Sequence, residues 1–244
     1  MFEFYNHSSE KMNEIENEST HLIVTSPPYP MIEKWDKCFG KIDFKYQHSI
    51  LTKVWKECYR ILIPGGICCI NIGDATRKLN NNFQCFHNFS QIQCELSNMG
   101  FNMLIPVLWK KISNRPNAFL GSGFLPPNAY VSQDIEYIII CRKGNLRTFP
   151  PKDKNRYDSK ITKEERDLWF QQIWDKIPGR KGSKEDSSFP EEIPYRLIKM
   201  FSVINDIIVD PFCGTGTTGI VANKLKRNFI GYDIKTSKLN TFFK

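Results

Sequence analysis

The 244-residue sequence lacks any apolar run approaching the ~18–20 residues that a bilayer-spanning helix needs. Its N-terminus lacks the basic, apolar and small-residue succession of a signal peptide. A membrane protein is thereby disfavoured, and a cytoplasmic chain is expected. Eight cysteines are present, but no two form a C-x-x-C pair. A zinc site or thioredoxin-like motif is therefore not expected, and the thiols read as reduced core residues. There is no internal repeat. The phosphate-binding pattern G-x-x-x-x-G-K-[ST] is also missing, which excludes ATP held by a P-loop.

What remains is a chain of ordinary globular composition, 41% hydrophobic and 25% charged, long enough for one sizeable α/β domain with an insertion. The net charge of +8 is unevenly spread: 142–184 holds 13 Lys and Arg against 6 Asp and Glu, nearly the whole excess. Such a cluster suits a polyanion, although a solvated loop gives the same composition.

Residues 22–30 read Leu-Ile-Val-Thr-Ser-Pro-Pro-Tyr-Pro. The apolar run suits a buried strand of a parallel sheet, and prolines that cannot donate a ladder hydrogen bond end it at Ser26. The stiff loop that follows holds the Ser26 hydroxyl, the Pro27 and Pro28 carbonyls and the Tyr29 ring just beyond the strand's carboxyl end. Ligands bind at that edge in open α/β sheets. A ring stacks on a flat substrate, while a hydroxyl and a carbonyl accept hydrogen bonds from an exocyclic NH2. In isolation, the same residues equally describe a proline turn with a packed tyrosine.

The remaining pattern alternates strands and helices. Residues 2–5 read as a strand, and Ser8 and Ser9 as caps of a helix through Ile15. A short helix or ordered loop is expected within 31–47. Apolar residues at helical spacing predict a helix over 48–62, ended by Pro64-Gly65-Gly66 and followed by a strand over 67–72. Asp74 is either a second polar group of the cleft or the cap of the next turn. A helix over 84–99 precedes strands at 101–109 and 135–141, read as an antiparallel pair at one sheet edge, joined by a Gly/Pro-rich loop at 113–131. The basic segment has one expected helix near 162–174. A further helix begins at 189–200, with a strand at 207–210.

After that strand stands Asp210-Pro211-Phe212-Cys213-Gly214-Thr215-Gly216-Thr217-Thr218-Gly219, then a helical pattern, a strand at 228–232 and Asp233. Glycines at 214, 216 and 219 let the backbone turn sharply and approach a ligand closely. An acid at the end of the next strand accepts both hydroxyls of a ribose. The order strand, glycine loop, helix, strand, acid points to a nucleoside cofactor. NAD is compatible with the glycines alone, but no second βαβ half follows. S-adenosylmethionine fits better, because an acid two residues before Phe212 sits poorly beside a pyrophosphate and well beside a cationic amino-acid end.

Together, Thr25-Ser26-Pro27-Pro28-Tyr29, Pro64-Gly65-Gly66, Phe189-Pro190-Glu191 and the 210–216 stretch resemble the amino-DNA methyltransferases of the β arrangement, in which the catalytic motif precedes the cofactor motif. The resemblance spans most of the chain. It implies a Rossmann-like, seven-stranded, mostly parallel sheet with an antiparallel edge hairpin and a small basic recognition insertion. Residues 1–141 form the catalytic half, 142–185 the insertion and 186–244 the cofactor half.

By the same resemblance, Ser26 and the Pro28 carbonyl accept from the target amino group, with Pro27 between them, and Tyr29 stacks on the base. Asp210, Pro211, Phe212, Gly214, Gly216 and Thr217 line the S-adenosyl-L-methionine pocket, Asp233 holds its ribose, and Phe189 and Pro190 close its methionine side. The family often has a His before Phe-Pro-Glu, where this chain has Ser187-Ser188. Lys110, Lys111, Arg115, Lys152, Lys154, Arg156, Lys160, Arg180 and Lys181 are the expected contacts to double-stranded DNA.

A ring-carbon cytosine methyltransferase resembles enzymes with a Pro-Cys nucleophile, and this chain has no such dipeptide. In the family that the chain resembles, Ser at position 26 is typical of N4-cytosine enzymes and Asp of N6-adenine enzymes, so the resemblance implies N4-cytosine as the target, with N6-adenine the alternative and an RNA substrate a further one. A companion restriction endonuclease, acting on the same site without a stable complex, is expected; no metal is. From other classes, an NAD-linked oxidoreductase explains the glycines but not Ser26–Tyr29, and an inactive DNA-binding protein is opposed by the intactness of both motifs.

Overall fold

The computed structural model describes residues 1–111, 125–128, 130–178 and 189–235. In chain order the elements are β1 (Phe2–Tyr5), β2 (Thr20–Thr25), a 3-10 turn (Glu33–Trp35), α1 (Asp36–Phe39), α2 (Phe44–Ile61), β3 (Leu62–Ile72), β4 (Ala75–Leu79), β5 (Asn82–Phe86) and α3 (Asn88–Asn98). There follow β6 (Phe101–Met103), β7 (Val107–Lys110), β8 (Ile135–Lys143), α4 (Lys154–Asp158), α5 (Lys163–Trp169), β9 (Ile173–Trp174), α6 (Glu192–Phe201), β10 (Ile207–Asp210), α7 (Thr217–Lys224) and β11 (Asn228–Tyr232). Among the described residues no helix is long and apolar enough to cross a membrane.

Nine strands form one sheet in the order β1-β11-β10-β2-β3-β8-β7-β9, with β6 also on β8. The run from β1 to β3 is parallel throughout, and β8 is antiparallel to β3, β6 and β7. The fold is Rossmann-like, as expected. The count exceeds seven because 101–109 breaks at Leu104–Pro106 into two short strands, and because β9 adds to β7. A strand's side chains alternate between faces, and the core shows it. Ile23, Cys68 and Ile70 pack under α2 and α3 with Leu51, Val54, Trp55 and Leu96. Leu22, Val24, Ile67 and Cys69 pack on the other face against α6 and α7 with Ile193, Leu197 and Val221. Every cysteine is a free thiol, and five of the eight are buried.

Several local expectations need correction. No helix forms after Ser8 and Ser9: the segment is a series of turns, and Ser9 instead donates to the Pro211 carbonyl at 2.8 Å. Pro64-Gly65-Gly66 does not end α2, which stops at Ile61; it lies inside β3 as an irregularity, since Thr20 pairs with Leu62 while Leu22 pairs with Ile67. Residues 84–86 are strand rather than helix, part of a two-stranded hairpin of β4 and β5 that stands apart from the main sheet. The helix near 162–174 is confined to 163–169 by a capping box at Thr162 and Glu165, leaving 173–174 to pair with β7. Most of the 113–131 loop lies outside the described residues.

Gly65 has φ +85°, and a Cβ there would sit 2.5 Å from the Arg147 amide nitrogen. Gly40 has φ +73° with open space around it. Gly65→Ala should therefore cost about 2–4 kcal/mol, from strain plus overpacking, and Gly40→Ala only about 1–2 kcal/mol. Urea unfolding of both variants measures this; equal losses would mean that the approach of Arg147 to the bulge is unimportant.

Candidate functional site

Strands β10 and β2 are parallel neighbours, with Ile208 opposite Leu22 and Val209 opposite Ile23. The chain leaves β2 for α2 on one face and leaves β10 for α7 on the other. Their carboxyl ends therefore flank the point where the winding of the sheet reverses, which is where a crevice opens in such folds. The loop 26–29 and the glycine loop 213–216 emerge side by side at this crevice.

A buried carboxylate joins them. Asp210, 2% exposed, accepts from the Thr25 hydroxyl at 2.6 Å, the Thr218 hydroxyl at 2.6 Å and the Phe212 amide at 3.0 Å. Burial pushes its pKa up to about 6, against the pull of these donors, and the nearby Asp233 charge adds to the rise. Asp210 was expected to line a ligand pocket; both its oxygens are instead turned to the protein, and it fixes the loops to each other.

The glycine loop is built around two left-handed residues, Gly214 at φ +51° and Gly216 at φ +79°, the latter capping α7. The Gly214 amide donates to Asp233 Oδ2 at 2.9 Å, and the Lys235 amide to Asp233 Oδ1 at 2.7 Å. A Cβ at Gly214 would meet nothing within 4 Å, so the loop leaves space beside it. Each Asp233 oxygen retains a lone pair for a further donor. Phe212 is half-buried edge-on to Trp55, Pro211 and Thr217 are buried, and Phe189 joins the apolar cluster that holds Cys213. The Pro190 carbonyl starts α6 by accepting from Ile193. An open glycine cradle beside a half-buried acid suits an adenosine-bearing group with a ribose diol. Ser187 and Ser188 lie outside the described residues.

On the other side, Pro27 is buried while Ser26, Pro28 and Tyr29 are half-buried. Tyr29 is tightly held: its hydroxyl donates to Glu136 Oε2 at 2.9 Å and accepts from Asn71 Nδ2 at 2.8 Å, with the Ser26 hydroxyl 3.3 Å away. Asn71 also donates to Glu136, and Lys111 pairs with the same carboxylate. Burial, then the Glu136 charge, raises the Tyr29 phenol well above its usual range, so it stays protonated. Neither Asn71 nor Glu136 was picked out from the sequence. Their signal was a polar residue within each of two strongly apolar strand runs. Asp74 accepts from the Phe89 amide at 2.9 Å and so caps α3.

The basic residues are not brought together. Lys110 and Lys111 sit at the carboxyl edge beside the crevice. Because β8 runs antiparallel, the chain after Lys143 starts from the opposite edge, where Arg147 pairs with Asp206 just before β10. Lys152, Lys154, Arg156 and Lys160 are exposed there, and Arg156 and Lys160 line a cavity of about 440 Å³ together with Arg142 and Arg147. That cavity is no part of the crevice. Arg115, Arg180 and Lys181 lie outside the described residues.

Comparison with known proteins is consistent with this geometry. A family model described as DNA methylase matches residues 20–244. Type II methyltransferase M.MjaI of Methanocaldococcus jannaschii is 54% identical over 257 aligned residues, covering 93% of this chain and 85% of that protein. Type II methyltransferase M.MthZI of Methanothermobacter thermautotrophicus is 40% identical, covering 94% and 72%. Among solved structures, TTHA0409 of Thermus thermophilus, complexed with S-adenosyl-L-methionine, superposes with a TM-score of 0.81 at 31% identity, covering 98% of this chain and 91% of that one.

The Asp210 pKa makes a stability prediction. A carboxyl whose folded pKa of about 6 exceeds its unfolded value of 3.8 favours folding only while protonated. That contribution is complete below about pH 4 and is lost as pH rises through about 6. Asp210→Asn removes the titration. Between about pH 4 and pH 7, the unfolding free energy of the parent should fall relative to the variant by up to about 3 kcal/mol. Urea titrations across this range test it; a difference that does not vary with pH would show the carboxylate to be unpenalised.

Proposed function

The chain belongs to the DNA methylase family, and on that premise we propose that it is a Type II methyltransferase that moves a methyl group from S-adenosyl-L-methionine to the exocyclic N4 of a cytosine flipped out of duplex DNA. The observation that carries this reading is the pairing of the two loops across β10 and β2, fastened by Thr25 and Asp210. The glycine loop alone also suits a nicotinamide cofactor, but a family match that spans both loops leaves that reading without support.

Each half of the crevice has its task. From 186–244, Gly214, Gly216, Thr217 and Phe212 cradle the cofactor, Asp233 accepts from its ribose, and Phe189 and Pro190 bound its methionine side. Pro211 and Asp210 hold this loop in place. When bound, S-adenosyl-L-methionine supplies an electrophilic methyl on a positive sulfonium. From 1–141, Ser26 and the Pro28 carbonyl accept hydrogen bonds from the target NH2, whose lone pair is otherwise delocalised into the ring. Holding both N–H bonds steers that nitrogen toward tetrahedral geometry and makes it nucleophilic. Pro27 keeps the two acceptors at a fixed spacing. Tyr29 offers its ring to the base, and its hydroxyl bonds to Asn71 and Glu136 set the plane of that ring. Positioning of this kind supplies much of the acceleration, and no covalent enzyme intermediate is required.

A base inside a duplex cannot reach the crevice, so extrusion is needed, as in other enzymes that modify bases. Lys110 and Lys111 are placed to hold the adjoining phosphates. The basic residues of 142–160 at the far edge reach only DNA that extends around the molecule. The relatives' names suggest a restriction–modification setting, with a cognate endonuclease cutting the same site without a stable complex.

Ser26→Ala should lower turnover about 10²–10³-fold, the scale of losing one preorganised hydrogen-bonding group, while binding of DNA and S-adenosyl-L-methionine changes less than about twofold. Unchanged turnover removes Ser26 from the mechanism. Digesting the methylated product to nucleosides should yield N4-methylcytosine; N6-methyladenine alone assigns the enzyme to adenine.

A further inference from the structure

Among the described residues, the hairpin of β4 and β5 is the one sizeable structure at the carboxyl edge to which the foregoing gives no task. It leaves the sheet directly after Gly73 and Asp74, at the end of the strand beside β2, and so rises next to Ser26. Its register is regular, Ala75 opposite Phe86 through Leu79 opposite Asn82. The turn is the two-residue Asn80-Asn81, both left-handed at φ +48° and +64°, the geometry that matches the twist of a tight hairpin.

Arg77, Phe83 and Phe86 anchor the hairpin, and its turn is not anchored. Arg77 clamps both Asp36 oxygens at 2.7–2.8 Å, Phe86 packs 5.6 Å from Phe44, and Phe83 packs 4.3 Å from Tyr130. At the turn and along the strands, Lys78, Asn80, Asn81, Asn82 and Gln84 are exposed, and among the described residues none has a side-chain hydrogen bond. The hairpin has no acidic residue, and its remaining unpaired charge is Lys78.

These features fit a duplex. A two-stranded ribbon of this length, about 17 Å, is admitted by the roughly 12 Å-wide major groove. Asn and Gln amides pair in bidentate fashion with adenine N6 and N7, and an unpaired lysine suits a phosphate or guanine. The basic residues of 152–160 cannot serve this purpose beside the target base, because they stand at the opposite edge. Phosphate contacts in any case set position without reading sequence.

We propose that the hairpin enters the major groove beside the flipped base and that the amides of Asn80–Asn82 and Gln84 read base edges there, adenine first among them. This rests on the DNA methyltransferase reading and adds the element that sets its sequence specificity.

The test uses the full chain and two measurements. The parent methylates plasmid DNA, and sequencing of the modified bases defines its site. A combined Asn81→Gly, Asn82→Ala, Gln84→Ala variant keeps the turn, since Asn-Gly favours the same geometry, but removes three amides. It should lose at least tenfold in rate at the parent's site and methylate sites altered at one or more base pairs, with S-adenosyl-L-methionine affinity within twofold. Gln84→Ala alone, at an exposed strand position, should show a smaller shift of the same kind.

Independently, Cys85 on the hairpin and Cys94 on α3 are both exposed thiols. Cognate duplex should slow alkylation of Cys85 at least fivefold and leave Cys94 unchanged. Variants that keep the parent's site and rate, or a Cys85 that alkylates equally fast under saturating duplex, overturn the hairpin's role while leaving the methyltransferase intact. A parent that methylates no DNA overturns the functional reading itself, and the hairpin's role with it.

Discussion

The site depends on one carboxylate placed where carboxylates are costly. Asp210 is nearly inaccessible, yet two hydroxyls and an amide from both sides of the crevice converge on it. Apolar packing could join the two strands, but it is non-directional and would not fix one loop relative to the other. Three hydrogen bonds, of 2.6, 2.6 and 3.0 Å, do so. Burial raises the pKa, and the donors hold it low enough that the group is mostly ionised at neutral pH, when its bonds to the threonines are strongest. Desolvation is thus exchanged for geometry, in a fold whose apolar faces already provide ample cohesion.

From that fastening the rest follows by topology. The helix after β2 covers one face and the helix after β10 the other, so the chain cannot close the space between the strand ends. The crevice results from this winding, and each loop carries half of its chemistry. A second polar cluster, Asn71, Glu136 and Lys111, stabilises the other side by holding the Tyr29 hydroxyl. Ser26 lies between the two clusters, and its backbone is held by both the strand and the prolines. Such support from neighbouring residues keeps reacting groups close to the geometry they need.

Much of this was legible in the sequence, because the parallel strands are short apolar runs and the helices show a helical period. β1, β10 and β11 were read to the residue, and α2 and β2 to within a few residues. The two motifs could be assigned to one edge because each follows a strand. The misses have separate causes. Ser8 and Ser9 have the composition of helix caps, but tertiary bonds to Pro211 and Arg60 take the segment instead, and Met12 and Ile15 reach the core from turns rather than from a helix. Pro64-Gly65-Gly66 is turn composition that the sheet uses as a bulge, with Gly65 accommodating Arg147. The hairpin at 75–86 was invisible because Asn80-Asn81 is a weaker turn signal than Asn-Gly and half of its strand residues are polar. Asn71 and Glu136 were missed because only the fold brings residues 65 apart into contact.

The distribution of charge bears on how such a molecule meets a duplex. Clustering of basic residues along the sequence suggested one contiguous patch, but the antiparallel course of β8 carries 142–160 to the edge far from Ser26. At physiological salt, charges are screened over about 8 Å, so that edge can attract DNA without governing the base at the crevice. Attraction and alignment are therefore separate tasks on separate surfaces. Attraction needs only net charge and tolerates any arrangement of lysines. Alignment needs donors and acceptors at fixed positions relative to Ser26. Only groups rooted in the carboxyl ends of β3 and β7 and the amino end of β8 meet that condition, because the strands that position the reacting loop position them as well.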